Sequence, residues 1–226
     1  MSLSKNALAA GLVLALTSGI ANAVPVVLTN AGFEDPATSG IFVQNTTPTP
    51  VTANGWEWIG STGILNGTGS NIFDSFRVGA IPNLVGNNHA YLQNGDALIR
   101  QNFTLASAGT VTISWRDAGR SAFGGIGGFD GDTSYTVTAG SLSTTGSTTS
   151  SSDFTTRSFS GFLAAGTHTL SFDNTSGAGD HSMYLDNINM EVPEPLSLGM
   201  LGLGLVGLAG CRFMGRGKAI QGGVAA

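Results

Sequence analysis

An all-β sandwich is the fold class the sequence predicts, and three observations predict it. Gly, Ser, Thr and Asn dominate the composition while charged residues make up only 10% of 226 positions. That is the reverse of a helical bundle built on Ala, Leu, Glu and Lys. Period-2 alternation of apolar and polar residues recurs along residues 24–191, with turn residues between the runs. No soluble stretch reads as an amphipathic helix, and no fixed-period repeat marks a propeller or solenoid.

The predicted strands follow in order. Val26–Thr29 opens the series. Trp56–Ile59 follows a Pro/Thr-rich stretch, and alternation puts Trp56 and Trp58 on one face. Ala90–Leu92 and Ala97–Leu105 flank Asn94-Gly95, a dipeptide suited to a two-residue hairpin turn. Thr110–Trp115 alternates cleanly, with Val111, Ile113 and Trp115 together. Tyr135–Thr138, Thr155–Phe162 and Thr167–Phe172 continue, and Met183–Met190 closes with Leu185, Ile188 and Met190. The expectation is about eight to ten short strands. Two segments read as irregular: Gly119–Thr133, a glycine-rich loop at one end of the sandwich, and Ser143–Ser152, nearly pure Ser, Thr and Gly and therefore exposed.

The two ends read as targeting segments. Residues 1–23 have the order of a signal peptide: Lys5, the apolar run Ala7–Leu16, then the small-x-small site formed by Ala21 and Ala23. The mature chain then starts at Val24. Residues 192–218 carry Pro193-Glu194-Pro195, the uncharged span Leu196–Gly210, and the basic residues Arg212, Arg216 and Lys218. A run of this length, extended through Met214, predicts one transmembrane helix with its basic end inside. A short tail, 219–226, follows, and Cys211 reads as a small apolar residue of the span.

Charge narrows the function. All fourteen carboxylate residues and only five of the nine basic ones, all Arg, lie between residues 24 and 195. Such a Lys-free, acidic ectodomain excludes a nucleic-acid binder, which needs basic patches. A single Cys excludes a disulfide framework and a Cys-rich zinc site.

The ordered set of Pro193-Glu194-Pro195, short Gly/Leu-rich span and basic cluster resembles the PEP-CTERM sorting signal, over Val192–Lys218. The resemblance implies an exosortase substrate, cut near the PEP motif. The precursor would be anchored in the inner membrane facing the periplasm. The product would reach the cell surface or the exopolysaccharide matrix of a biofilm.

A second resemblance covers residues 24–191. Asn30-Ala31-Gly32-Phe33-Glu34, then Gly55-Trp56, then Ala90-Tyr91-Leu92 leading to Ile99–Phe103, and finally Leu185-Asp186-Asn187-Ile188 are similar to the landmarks of carbohydrate-binding-module-like, galactose-binding-type jelly rolls. The resemblance implies a jelly-roll ectodomain in which Glu34 and Asp186 meet at a structural calcium, with Asn30 a turn former. Calcium suits such a place, since it takes six to eight oxygen ligands.

Trp58, Phe123 and Phe129 are the candidate ligand-binding aromatics, and Trp115 is assigned to the core. Asp117, Arg116 and Arg120 beside the glycine-rich loop are read as a surface ion pair or a polar ligand contact. The chain has no Gly-x-Ser-x-Gly, His-Glu-x-x-His or P-loop pattern, and Asp180-His181-Ser182 are neighbours that cannot form a triad. The expected function is a non-catalytic, glycan-binding surface or matrix protein with extracellular polysaccharide as partner. A secreted glycoside hydrolase acting on exopolysaccharide is the alternative.

Overall fold

The computed structural model describes residues 23–37, 41–66, 85–120, 129–130, 132–150, 152–177 and 179–193. Ala21, the span Leu196–Gly210, Arg212 and Arg216 lie outside them, as does most of the sorting motif. One compact unit runs from Pro25 to Val192. Among the described residues there are eleven strands: β1 (Ala23–Pro25), β2 (Ile41–Ala53), β3 (Trp56–Asn66), β4 (Asn88–Leu105), β5 (Gly109–Gly119), β6 (Phe129–Asp130), β7 (Thr133–Ala139), β8 (Leu142–Thr148), β9 (Thr155–Leu163), β10 (Gly166–Asn174) and β11 (Asp180–Pro193). No helix long and apolar enough to cross a membrane occurs among the described residues.

The strands form two facing layers joined at one corner. In the first layer β8, β7, β10 and the second half of β4 pair in that order. In the second, β9, β5, β11 and the first half of β4 pair. β3 follows β4 through both layers, and β2 follows β3. β1 pairs with β11; the other pairings are antiparallel except the short β6–β11 pair.

The corner is built from irregularities at one level. Ile59 pairs with Leu98 but Ser61 with Gln93, so Gly60 alone faces Asn94–Ala97 of β4. On the other side of β3, Thr47 pairs with Gly60 and Val51 with Trp58, so β2 bulges at Pro48-Thr49-Pro50. Bulges bend strands and change their partners, and past this one β4 leaves β11 and takes up β10. Gly60 has φ +71°, and a Cβ there would collide with the Asp96 carbonyl oxygen. The corner therefore depends on glycine.

The expected hairpin at Asn94-Gly95 is thus corrected. The two segments it was to join are halves of one strand, and Asn94 (φ 70°) opens the bulge. A real two-residue turn lies at Asn54-Gly55, where both φ values are positive (54° and 85°) and Ala53 pairs with Trp56. Two more elements differ from expectation. The Pro/Thr-rich stretch is the edge strand β2, where proline costs no ladder bond on its open side. Most of the Ser/Thr tract is β8, paired with β7 along its length, its side chains alternately half-buried and exposed.

The core lies between the layers. Trp115 of β5 packs edge-on against Phe172 of β10 (5.7 Å) and Tyr135 of β7 (6.4 Å), strands of the opposite layer. Outside the second layer, Leu65, Tyr91, Ala118 and Tyr184 make a further buried cluster with Phe154. His89 sits in that cluster with its ring against Tyr184 and Phe154. The outer side of the first layer is mostly polar and half-exposed to exposed, with Ile59 and Leu98 its apolar members.

Candidate functional site

The Asn30–Glu34 motif turns out to be a local device with three outputs. Asn30 (φ 49°) bridges the main chain of Asp35, accepting from its N–H and donating to its carbonyl. Its own carbonyl accepts from Phe33 N–H and the Trp56 indole. This places Phe33 in the core against Trp56 (5.5 Å) and Trp58 (6.1 Å). The next residue, Glu34, turns outward, and its Oε1 accepts from Asn87 and Asn88 N–H at 2.9 and 3.0 Å.

Asp186 reaches the same segment from the last strand. The β11 register slips between Asp186 and Asn189, and Asn187 (φ 48°) is the extra residue. The slip lets Leu185 and Ile188, three apart, both enter the core. Asp186 is left fully buried outside the second layer, accepting from Val85 N–H (2.9 Å) and Asn187 N–H (2.6 Å). Ile188 N–H donates to Ala31 carbonyl, tying the opening motif to the closing strand.

The two carboxylates therefore share the Val85–Asn88 segment. Gly86 takes a left-handed backbone there (φ +83°), which favours glycine, and a Cβ would push the Glu34 carboxylate aside. Burial pushes the Asp186 carboxyl up to about 6; the Glu34 charge adds to this, while the Val85 and Asn187 amides and Arg116 oppose it. Glu34 is exposed and Asp186 buried, and both accept from main-chain amides of the same short segment. Their donor set is all oxygen, which suits a hard cation such as calcium and not a soft metal. Among the described residues no third acidic, His or Cys side chain joins them, so further ligands would be main-chain carbonyls.

The candidate aromatics fare differently. Trp58 is corrected: it is fully buried and its indole donates to Ala53 carbonyl (2.9 Å), so it belongs to the core. Strand alternation placed it on the Trp56 face, and that face is the inner one. Phe123 lies outside the described residues; Phe129 is described by its backbone alone, paired with Asp180 in β6. Asp132 accepts from Ser150 N–H (2.6 Å).

Asp117 is also corrected. It makes no surface pair with its neighbours but is buried, held by Arg157 Nε (3.1 Å), Thr155 Oγ1 (3.0 Å) and Tyr135 OH (2.5 Å). Ser182 is buried and His181 half-buried on the opposite side of β11, so the two do not act together.

Sequence reasoning missed the outer face of the first layer. One row crosses six strands in register: Thr52, Glu57, Arg100, Ser171, Thr138 and Ser143. Arg100 grips Glu57 with two bonds (2.8 and 2.7 Å) and holds its carboxyl below the usual range. Thr138 and Ser171 hydroxyls share a bond of 2.6 Å, and Thr169 donates to Asn102 (2.8 Å). Burial raises the Asp173 carboxyl on the neighbouring row. The polar half of each alternating strand was the available signal, but the register between strands was not.

No protein-family model matches the sequence, and no curated protein matches it. Solved structures give weak likenesses. A CBM6 from a laminarinase of Zobellia galactanivorans is 16% identical over 48% of this chain and 82% of its own, with TM-score 0.34. A structure described as CBM4 is 14% identical over 76% of this chain and 95% of its own, with TM-score 0.34. A ruminal GH26 endo-β-1,4-mannanase is 17% identical with TM-score 0.39, over 58% of this chain but only 26% of its own length. Likenesses at these TM-scores assign neither a fold family nor a ligand.

Proposed function

We propose that the chain is an exported surface or matrix protein whose β-sandwich, of jelly-roll type, binds a neutral glycan without catalysis. The observation that carries this reading is the outer face of the first layer. It presents a row of hydroxyl and ion-paired side chains spaced by the strand separation of about 5 Å. Hydroxyls both donate and accept, as sugar hydroxyls do, so such a face suits an extended polyhydroxylated chain. The acidic excess of the ectodomain disfavours a polyanionic glycan. Glu57 is already paired with Arg100, which suits a structural acceptor better than a general acid. A glycan array with a parallel reducing-end assay tests the reading. Binding without release of reducing ends is expected. Release would move the protein to the hydrolase alternative, and no binding to any neutral glycan would overturn the proposal.

The same proposal includes calcium held by Glu34 and Asp186 as a structural ion, supported by the two carboxylates reaching the same Val85–Asn88 segment. It also includes sorting by an exosortase at Pro193-Glu194-Pro195, supported by the order of that motif, the span and the basic residues. A glycine-rich span this short anchors marginally and suits a transient precursor. Intact-mass analysis of envelope and medium fractions from the native host checks this. Mature protein that keeps residues 196–226 in both fractions would leave a simple membrane-anchored domain.

A further inference from the structure

We propose that the groove between the β4 bulge and the loop joining β10 to β11 is a saccharide subsite, with the Asp96 carboxylate receiving paired sugar hydroxyls. This rests on the glycan-binding reading above and places part of that binding at a site off the sheet face. The groove has a volume of about 480 Å³ and is lined by Asn94, Gly95, Asp96, Ser176, Gly177 and Gly179. That volume lies within the range of small-ligand sites, about 300–1,000 Å³.

The walls are held by the protein itself. Asn174 is fully buried, and its amide donates to Leu92 and His181 carbonyls (3.2 and 3.3 Å) while accepting from Ser176 N–H (3.0 Å). One side chain thus joins β4, β11 and the loop. Thr175 N–H donates to Ser134 carbonyl (2.8 Å), and Ser134 N–H donates to Ser176 Oγ (3.1 Å). Bulge and loop touch main chain to main chain, since a Cβ on Gly95 would collide with the Ser176 carbonyl oxygen. A groove fixed before the ligand arrives spares the ordering cost of binding.

One acceptor in it is left open. Asp96 is exposed, and its carboxylate has no described partner. Asn94 Oδ1 is buried without a hydrogen-bond partner among the described residues, so Asp96 is the acceptor side chain the groove presents. Three glycines leave the main chain bare along the groove. The open carboxylate of Asp96 beside bare main chain suits a ligand with O–H donors close together. Adjacent hydroxyls of a sugar ring match the two oxygens of one carboxylate, a charge-assisted pair. A divalent cation is a poorer match, because among the described residues Asp96 is the one carboxylate lining the groove and calcium sites draw on several oxygens. A uronic acid would meet repulsion from Asp96.

The full chain is titrated calorimetrically with cellohexaose, mannohexaose and a β-1,3-linked glucohexaose, with hexagalacturonate as the acidic comparison. Asp96→Asn keeps the shape and removes the charge. Gly177→Leu adds a bulky side chain at a lining position where a Cβ meets nothing within 4 Å. Each variant is expected to weaken binding of a neutral hexaose at least tenfold with an unchanged melting temperature, and hexagalacturonate is expected to bind more weakly than the neutral chains. If Gly177→Leu lowers the melting temperature, the isosteric Asp96→Asn decides alone. Should both groove variants bind as wild type while a Thr138→Val, Ser171→Ala variant loses binding, the subsite is overturned and the glycan reading stands. Failure of the wild type to bind any of the three neutral probes and any neutral glycan on the array overturns both.

Discussion

Trp115 and Asp117 stand two residues apart on β5, and Tyr135 from β7 of the opposite layer meets both. The tyrosine hydroxyl accepts from the Trp115 indole (3.0 Å) and donates to Asp117 (2.5 Å). Burial first, and then the Asp117 charge, raises the phenol well above its usual range, so it stays a donor at any working pH. Removing that one oxygen leaves a buried indole N–H without an acceptor and takes one of three donors from a buried carboxylate. Tyr135→Phe should therefore cost about 2 kcal/mol, read as a lowered urea midpoint with an unchanged slope. A midpoint equal to wild type would show that the network contributes no net stability. At this scale the sequence was partly legible. Trp115 reads as core from its alternating apolar neighbours, whereas the partners of Asp117 lie 18 to 40 residues away and leave no local mark.

At the scale of elements, the same dipeptide takes two roles. Asn54-Gly55 closes the β2–β3 hairpin, and Asn94-Gly95 opens the bulge at the corner. Both uses exploit the tolerance of Asn and Gly for unusual backbone, so local chemistry alone cannot separate them. What separates them is Gly60, which admits the Asp96 carbonyl where a side chain would stand. Gly60→Ala should lower stability by about 2–4 kcal/mol, combining a positive φ with a collision against main chain. Gly177→Ala, facing open space, should cost far less. Comparable melting temperatures for the two variants would refute the corner argument. The inner-facing halves of β3, β5, β7, β10 and β11 were legible because burial on one face enforces period 2. β2 and β8 were not, because an edge strand buries little and tolerates Pro, Ser and Thr.

For the whole molecule, the opening motif and the last strand are held together where Glu34 and Asp186 clamp Val85–Asn88 from two sides. That both acids reach one segment has no mark in the sequence itself, since no spacing links residues 34 and 186. Without a metal the arrangement has a defined pH signature. Asp186 has a folded pKa of about 6 against the ordinary 3.8, with burial as the leading cause. A raised pKa means the folded state binds its proton more tightly than the unfolded one. Its favourable contribution is complete below about pH 4 and is lost as pH rises through 6, an effect of up to about 3 kcal/mol. In EDTA, wild type measured against Asp186→Asn should therefore lose relative stability between pH 4 and 7. Calcium reverses the sign, because it binds the ionised pair and competes with the proton. At 100 times its Kd the ion would add about 2.7 kcal/mol at pH 7, and the gain should shrink as pH falls below 6. Melting curves at pH 5 and 7, in EDTA and in excess calcium, measure both effects. Curves that superimpose at pH 7 would leave the two carboxylates as acceptors for main-chain amides and nothing more.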